Sequence, residues 1–351
     1  MNPRRTVHTA DTVGSAETAE TPQSTLRPRR RLRAWHLITA GVAATALLTA
    51  CGSGSDPLAD DDASASGSAE ASGEASADPE AIAIGSQAYY SNEIIAELYA
   101  QALEANGFSV DRQYQIGQRE VYLPELESGE IDVIPDYTGN LLQYYDEDAA
   151  AEDAAAEAGS ADEVFAALDD ALPEDLRVLQ YAEATDQDSY TVTAETAEEH
   201  NLSAIGDLAQ LDQPVSIAAN SEFESRPYGP AGAEEVYGVQ LELTPVEDSG
   251  GPLTVSALTD GTVQVADIYT ASPAIAENNL VVLEDPESLI LPQNVVPVTG
   301  SDLDTDAAAI IEDVQRRLTV EDLIELNTQS VNEQASSADL ASQWLEDQGI
   351  S

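Results

Sequence analysis

From residue 81 to the C-terminus, short apolar runs alternate with amphipathic stretches of helix length. That alternation is the sequence form of an α/β fold, in which strands build a sheet and helices cover its faces. The first repeat shows how it is read. AIAIG at 81–85 predicts a buried strand, and 93–106 predicts a helix with Ile94, Ile95, Leu98 and Leu103 on its apolar face, stopped by Gly107. A strand at 110–116, a helix at 120–127 and a strand at 131–134 follow. After an apolar run at 176–182, a second series of strands is expected at 190–193, 215–219, 241–246, 263–269 and 280–283. One more strand at 294–298 precedes three helices at 303–317, 320–331 and 337–348, which suggests that the chain ends by packing back on its first half. Between them, 146–162 holds only Ala and acidic residues apart from Gly159 and Ser160, and reads as an exposed insertion. Two α/β lobes with crossings between them enclose a cleft, the usual place for a small ligand.

The chain before residue 81 has a different character. Residues 27–51 run from an Arg-rich block through an uncharged stretch at 37–50 to Cys51, which is the form of a secretory signal. As a helix that stretch would span about 21 Å, short of a hydrocarbon core. Leu48-Thr49-Ala50-Cys51 resembles a bacterial lipobox, so residues 1–51 are expected to be a lipoprotein signal peptide ending at a lipidated Cys51, with more than one acyl chain for durable anchoring. Residues 52–80 contain a single large apolar side chain, Leu58. They cannot bury a core and are expected to be a flexible acidic tether with a root-mean-square span of about 30 Å. The protein is thus expected to be extracytoplasmic and tied to the cell membrane.

Charge and residue usage exclude whole classes of chemistry. There is no Lys; of thirteen Arg seven precede Cys51, and of 66 acidic residues only Asp11, Glu17 and Glu20 do. The remaining six Arg against 63 acids repel phosphate backbones, which argues against a nucleic-acid partner. A carboxylate-dense surface stays hydrated in concentrated salt, where screening weakens its self-repulsion; drift in a GC-rich genome would also remove Lys. His200 is the one His after the signal segment and sits in the acidic run AEEHN, so no Ser-His-Asp or Cys-His constellation can be assembled. No phosphate-binding loop, nucleotide fingerprint, calcium loop or Cys-rich metal motif is present, and neither a cofactor nor a metal is expected.

Tyrosine usage points the other way. Thirteen Tyr stand against three Phe, and none precedes residue 89. Tyr137, Tyr190 and Tyr269 fall where a strand hands over to a loop, the end at which α/β folds bind ligands. Each could equally cap the core with its hydroxyl wet.

In this order, IAIGSQAYYSNEIIAELYAQALEANG, ELESGEIDVIPDYTGNLL, DQDSYTVTAETAEEHNL, FESRPYGPAGAEEVYGV, DSGGPLTVSALTDGTVQVADIYTASPAI and NNLVVLEDPESLILPQNVVPV resemble the substrate-binding proteins of osmoprotectant (glycine betaine, choline, carnitine) ABC importers. The resemblance covers essentially all of 81–351. It implies a two-lobed periplasmic-binding-protein-like fold of type II, with lobe I at 81–187 plus 292–351, lobe II at 188–291, and closure by hinge motion. It further implies a solute receptor and not an enzyme, with an ABC permease as partner. The family holds a quaternary ammonium, which has no N–H to donate, against aromatic faces. Tyr137, Tyr190 and Tyr269 match three walls of that box, and Asp188 matches the position that approaches the cation. Arg226 matches the residue that grips the ligand carboxylate, suited to binding both oxygens at once; Gln87 and Asn140 match polar positions beside it. Two departures stand out: Gln87 replaces a frequent Lys, and Gln293 replaces the fourth tyrosine. Loss of one aromatic face removes about 0.5–2 kcal/mol of cation–π attraction. Alternatively Gln293 hydrogen-bonds a different compatible solute that carries donors.

Overall fold

The computed structural model describes residues 81–146 and 159–350. The signal, the lipidation site Cys51, the tether and most of the Ala/acid insertion lie outside the described residues.

The first half begins β1 (Ile82–Gly85), α1 (Tyr90–Ala105), β2 (Val110–Gln113), α2 (Arg119–Ser128), β3 (Val133–Tyr137) and α3 (Thr138–Tyr145), then α4 (Ala161–Ala171) and β4 (Leu176–Val178). The second comprises β5 (Tyr190–Thr193), α5 (Ala194–His200), β6 (Val215–Ala219), a short helical turn α6 (Pro230–Gly232), β7 (Leu241–Pro245), α7 (Pro252–Thr259), β8 (Val265–Asp267), α8 (Ala274–Glu277) and β9 (Leu280–Val282). The chain then returns through β10 (Val295–Gly300) to α9 (Thr305–Gln315), α10 (Val320–Glu333) and α11 (Ser337–Gln348).

These strands form two five-stranded sheets of one pattern, β2-β1-β3-β10-β4 and β7-β6-β8-β5-β9. Three strands in each run parallel, and the strand arriving from the other half, β10 or β5, lies fourth and antiparallel to both neighbours. This is the mixed α/β architecture expected. The two connecting segments run side by side, joined by a Thr185–Asn294 bridge and an Asp186 N–H to Gln293 carbonyl bond of 3.4 Å.

Each sheet is covered as its hydrophobic pattern demands. The apolar face of α1 packs with Ile311, Leu323, Trp344 and Leu345 in one core, so the C-terminal helices do return to the first half. Their starts are legible as caps: Asp304, Thr319 and Ser336 each accept a backbone N–H of the following turn. A separate core under the second sheet contains Ile217, Phe223 and Val265.

The strands are shorter than periodicity suggested. β2 stops at Gln113 because Gln115 and Gly117 take positive φ, 58° and 132°. β8 stops at Asp267 where Gly250, at φ 72°, packs against the backbone of Ile268. Helices α3 and α7 were not read from sequence: α3 follows β3 without a loop, and α7 opens on Gly251-Pro252 with Pro at its first turn. Of the insertion, residues from Ala161 belong to α4, whose Val164 and Leu168 are buried. His200 is the exposed last residue of α5.

Candidate functional site

A cleft with about 440 Å³ of empty volume, part of it open to solvent, lies between the two sheets. Its side chains come from the carboxyl ends of strands: Gln87 and Tyr89 after β1, Tyr137 at the end of β3, Asn220–Tyr228 after β6, and Asp267 and Tyr269 at and after β8. That is where open α/β sheets place ligands. The connecting segment adds Asp186 and Asp188.

The aromatic surface spans both halves. Tyr89 stacks edge-on against Tyr269, centroids 5.3 Å apart at 70°, and lies 6.5 Å from Tyr137 at 31°. The hydroxyls of Tyr89 and Tyr137 hydrogen-bond each other. Tyr228 is a fourth aromatic wall, held 5.9 Å from Phe223. Burial raises the hydroxyl pKa of all four, so they present neutral faces. Tyr89 and Tyr228 were not singled out from sequence; both sit in loops after strands, where no periodicity marks them.

Tyr190 does not line this cleft. It is 1 % exposed, packs on Phe223 at 6.1 Å in the second core, and donates its hydroxyl to the Tyr228 carbonyl at 2.7 Å. Its ring is a core residue that positions Tyr228. Gln293 is likewise absent from the lining and fully buried. Its Oε1 accepts the Asp188 N–H at 3.1 Å, its Nε2 donates to Asn140 Oδ1 at 2.7 Å, and Asn140 Nδ2 donates to Asp188 Oδ2 at 2.7 Å. Gln293 therefore ties α3 to the connecting segment and is not a substitute wall. Gly139 permits this approach, since a β-carbon there would fall 2.7 Å from the Pro292 carbonyl oxygen.

Gln87 faces the cleft, its Nε2 3.4 Å from Asp136 Oδ1. Asp136 also takes Arg119 and the Tyr122 hydroxyl in a buried network, which offsets the Arg119 charge. Arg226 is different. It stands on a turn closed by Gly229, where a β-carbon would meet the Phe223 carbonyl oxygen at 2.0 Å. Its Nη1 reaches across to Glu120 Oε1 at 3.0 Å, while its Nη2 is buried with no partner among the described residues. Glu120 thus engages one edge of the guanidinium and leaves Nη2 free to meet a carboxylate oxygen.

The carboxyl groups of Asp186, Asp188 and Asp267 also line the cleft. Burial, opposed by the hydrogen bond from the Ala271 N–H and aided by the charge of Asp188, pushes Asp186 up to about 7. Burial and then Asp188 hold Asp267 well above the ordinary carboxylate range. Between the ordinary carboxylate range and about pH 7, folded Asp186 keeps a proton that the unfolded chain has lost. Its contribution to stability is complete below the ordinary range and lost as pH rises toward 7. Asp186→Asn, which retains an acceptor for the Ala271 N–H, is therefore expected to gain melting temperature relative to wild type as pH goes from 4 to 8. Superimposable pH profiles in thermal denaturation would contradict the assignment. No group of three or more His, Cys, Asp or Glu able to hold a metal occurs among the described residues.

The model of the substrate-binding domain of the ABC-type glycine betaine transport system matches residues 80–347. The chain belongs to this family. Its members are solute-binding proteins of ABC importers, not enzymes, and work outside the cytoplasm with permeases. Among relatives of this betaine-type domain, the glycine betaine-binding protein YehZ of Escherichia coli is 25% identical over 218 residues, 59% of this chain and 70% of that protein. A glycine-betaine-binding protein of Pseudomonas aeruginosa is 25% identical over 276 residues, 75% of this chain and 86% of its own. A solved glycine betaine/carnitine/choline ABC transporter structure superposes with a TM-score of 0.60 at 19% identity, covering 77% of this chain and 99% of that one. No described helix of the betaine-type domain is long and apolar enough to cross a membrane.

Proposed function

We propose that this protein captures a quaternary-ammonium zwitterion of the glycine betaine type between two lobes, 81–187 plus 292–351 and 188–291, and delivers it to an ABC permease while anchored to the membrane through lipid on Cys51. The observation that carries the reading is the buried, unpartnered Nη2 of Arg226 in a cleft whose other walls are tyrosine faces and carboxyl groups. A buried guanidinium nitrogen with no acceptor is unfavourable until a carboxylate oxygen arrives. A trimethylammonium at the other end of the same solute meets Tyr89, Tyr137, Tyr228 and Tyr269, whose quadrupoles attract it without needing an N–H. Tyr89 and Tyr137 come from one half and Tyr228 and Tyr269 from the other, so a bound cation would bridge the lobes and favour the closed state.

A different compatible solute, read by hydrogen bonds from Gln293, has less support, since both ends of that amide are engaged by Asp188 and Asn140. The names of the relatives favour glycine betaine over other solutes. Calorimetric titration with glycine betaine tests the proposal: saturable binding at one site supports it, and absence of binding overturns it.

A further inference from the structure

The cleft does not end at Arg226. A second hollow, with about 840 Å³ of empty volume partly open to solvent, adjoins it and shares Asn140, Arg226 and Tyr228. Gln143 and Tyr144 of α3 line one side and Ser225 and Pro227 the other. Gln143 is 3 % exposed, yet neither its Nε2 nor its Oε1 has a hydrogen-bond partner among the described residues. Nearly all buried amides in folded proteins are paired, so one unmatched at both ends, beside a cavity, marks where a partner comes from outside. Arg226, with its own unmatched Nη2, stands at the junction of the two hollows.

We propose that this hollow is a side-chain compartment of the ligand site, and that the protein takes N-trimethylated α-amino acids carrying an uncharged polar side chain, whose hydroxyl or amide pairs with Gln143. The inference rests on the reading of the cation and carboxylate subsites above. A substituent on the α-carbon leaves ammonium and carboxylate where glycine betaine has them, so the same tyrosines and Arg226 serve both. It branches from the carbon that joins ammonium to carboxylate, and so between Tyr228 and Arg226, both of which border the second hollow. A hydroxyl both donates and accepts, as does the Gln143 amide. An acidic side chain would meet Glu120 and a basic one Arg226, both of which line the hollow. An apolar side chain would leave Gln143 unmatched, which is how a polar site rejects an analogue lacking the hydroxyl.

The test titrates the full-length protein with N,N,N-trimethylhomoserine and N,N,N-trimethylnorvaline, which differ only by a terminal hydroxyl in place of a methyl, with glycine betaine as reference. The homoserine derivative is expected to bind at least tenfold more tightly than the norvaline derivative, and Gln143→Met to bring that ratio below twofold. A ratio near one in the wild type, a ratio that survives Gln143→Met, or binding of glycine betaine without either branched derivative overturns the proposal. Should Gln143→Met fail to fold, the Gln143 side-chain amide resonance of the wild type gives the answer: it must shift with the homoserine derivative and not with the norvaline one. Failure of glycine betaine itself to bind removes the underlying reading, and this proposal with it.

Discussion

Arg226→Ala is expected to weaken glycine betaine binding by about 10- to 150-fold while leaving choline, which has the same cation and no carboxylate, within about threefold of wild type. The range follows from about 1.5–3 kcal/mol for a hydrogen bond between charged partners in a site sheltered from water. Nη2 is a buried donor without a partner among the described residues and Nη1 pairs with Glu120, so the range counts a single charged bond, from Nη2 to the ligand. The Glu120 released by the substitution is half exposed and returns to water at little penalty. Arg226→Lys should also weaken binding: a single ammonium has to serve both Glu120 and the ligand, where the guanidinium serves them with separate nitrogens. Equal losses for choline and glycine betaine would remove Arg226 from the carboxylate subsite.

Tyr269→Ala and Tyr190→Ala should fail in opposite ways. Tyr269 is only partly buried and meets Tyr89 across the cleft, so its removal takes away a desolvated aromatic face worth about 2 kcal/mol, roughly thirtyfold in affinity, with little change in melting temperature. Tyr190 is in the core against Phe223, so its truncation leaves a cavity and costs about 3–5 kcal/mol of stability. At about 2–4 °C per kcal/mol for a body of this size, the melting temperature falls by about 10 °C. Tyr190→Phe, which loses only the bond to the Tyr228 carbonyl, should melt within a few degrees of wild type and bind nearly as well. Paired thermal melts and titrations of the three variants decide this; a stable, non-binding Tyr190→Ala would return its ring to the ligand.

Strand and helix alternation made the two-sheet architecture readable, because burial against a sheet imposes a period that survives in one dimension. Arg226, Tyr137, Tyr269, Asp188, Gln87 and Asn140 were assigned through the resemblance to osmoprotectant receptors, and the structure brings all six to one cleft. What escaped depends on contacts distant in sequence. Whether a tyrosine at the first position of a strand turns into the cleft or into the core is decided by Phe223, more than thirty residues away from Tyr190. The pairing of Glu120 in α2 with Arg226 after β6 joins two halves of the fold and leaves no local trace. Gln293 looked like a wall because an aromatic was expected there; its amide instead reaches Asn140 and Asp188, partners supplied by α3 and by the other connecting segment. Tyr89 and Tyr228 lie in irregular segments, where the pattern of apolar residues carries no directional information.

The acidic surface and the buried site also respond differently to salt. Exposed charges are screened within about 10 Å at 0.1 M, whereas the tyrosine faces of the cleft and the buried Nη2 of Arg226 are less open to counterions. The most direct test is isothermal titration of the full-length protein with glycine betaine at low and at high NaCl. One site with a dissociation constant in the micromolar range, about −8 kcal/mol, is expected at both salt concentrations. Absence of binding heat, and of any rise in melting temperature with millimolar glycine betaine, at both concentrations would contradict it.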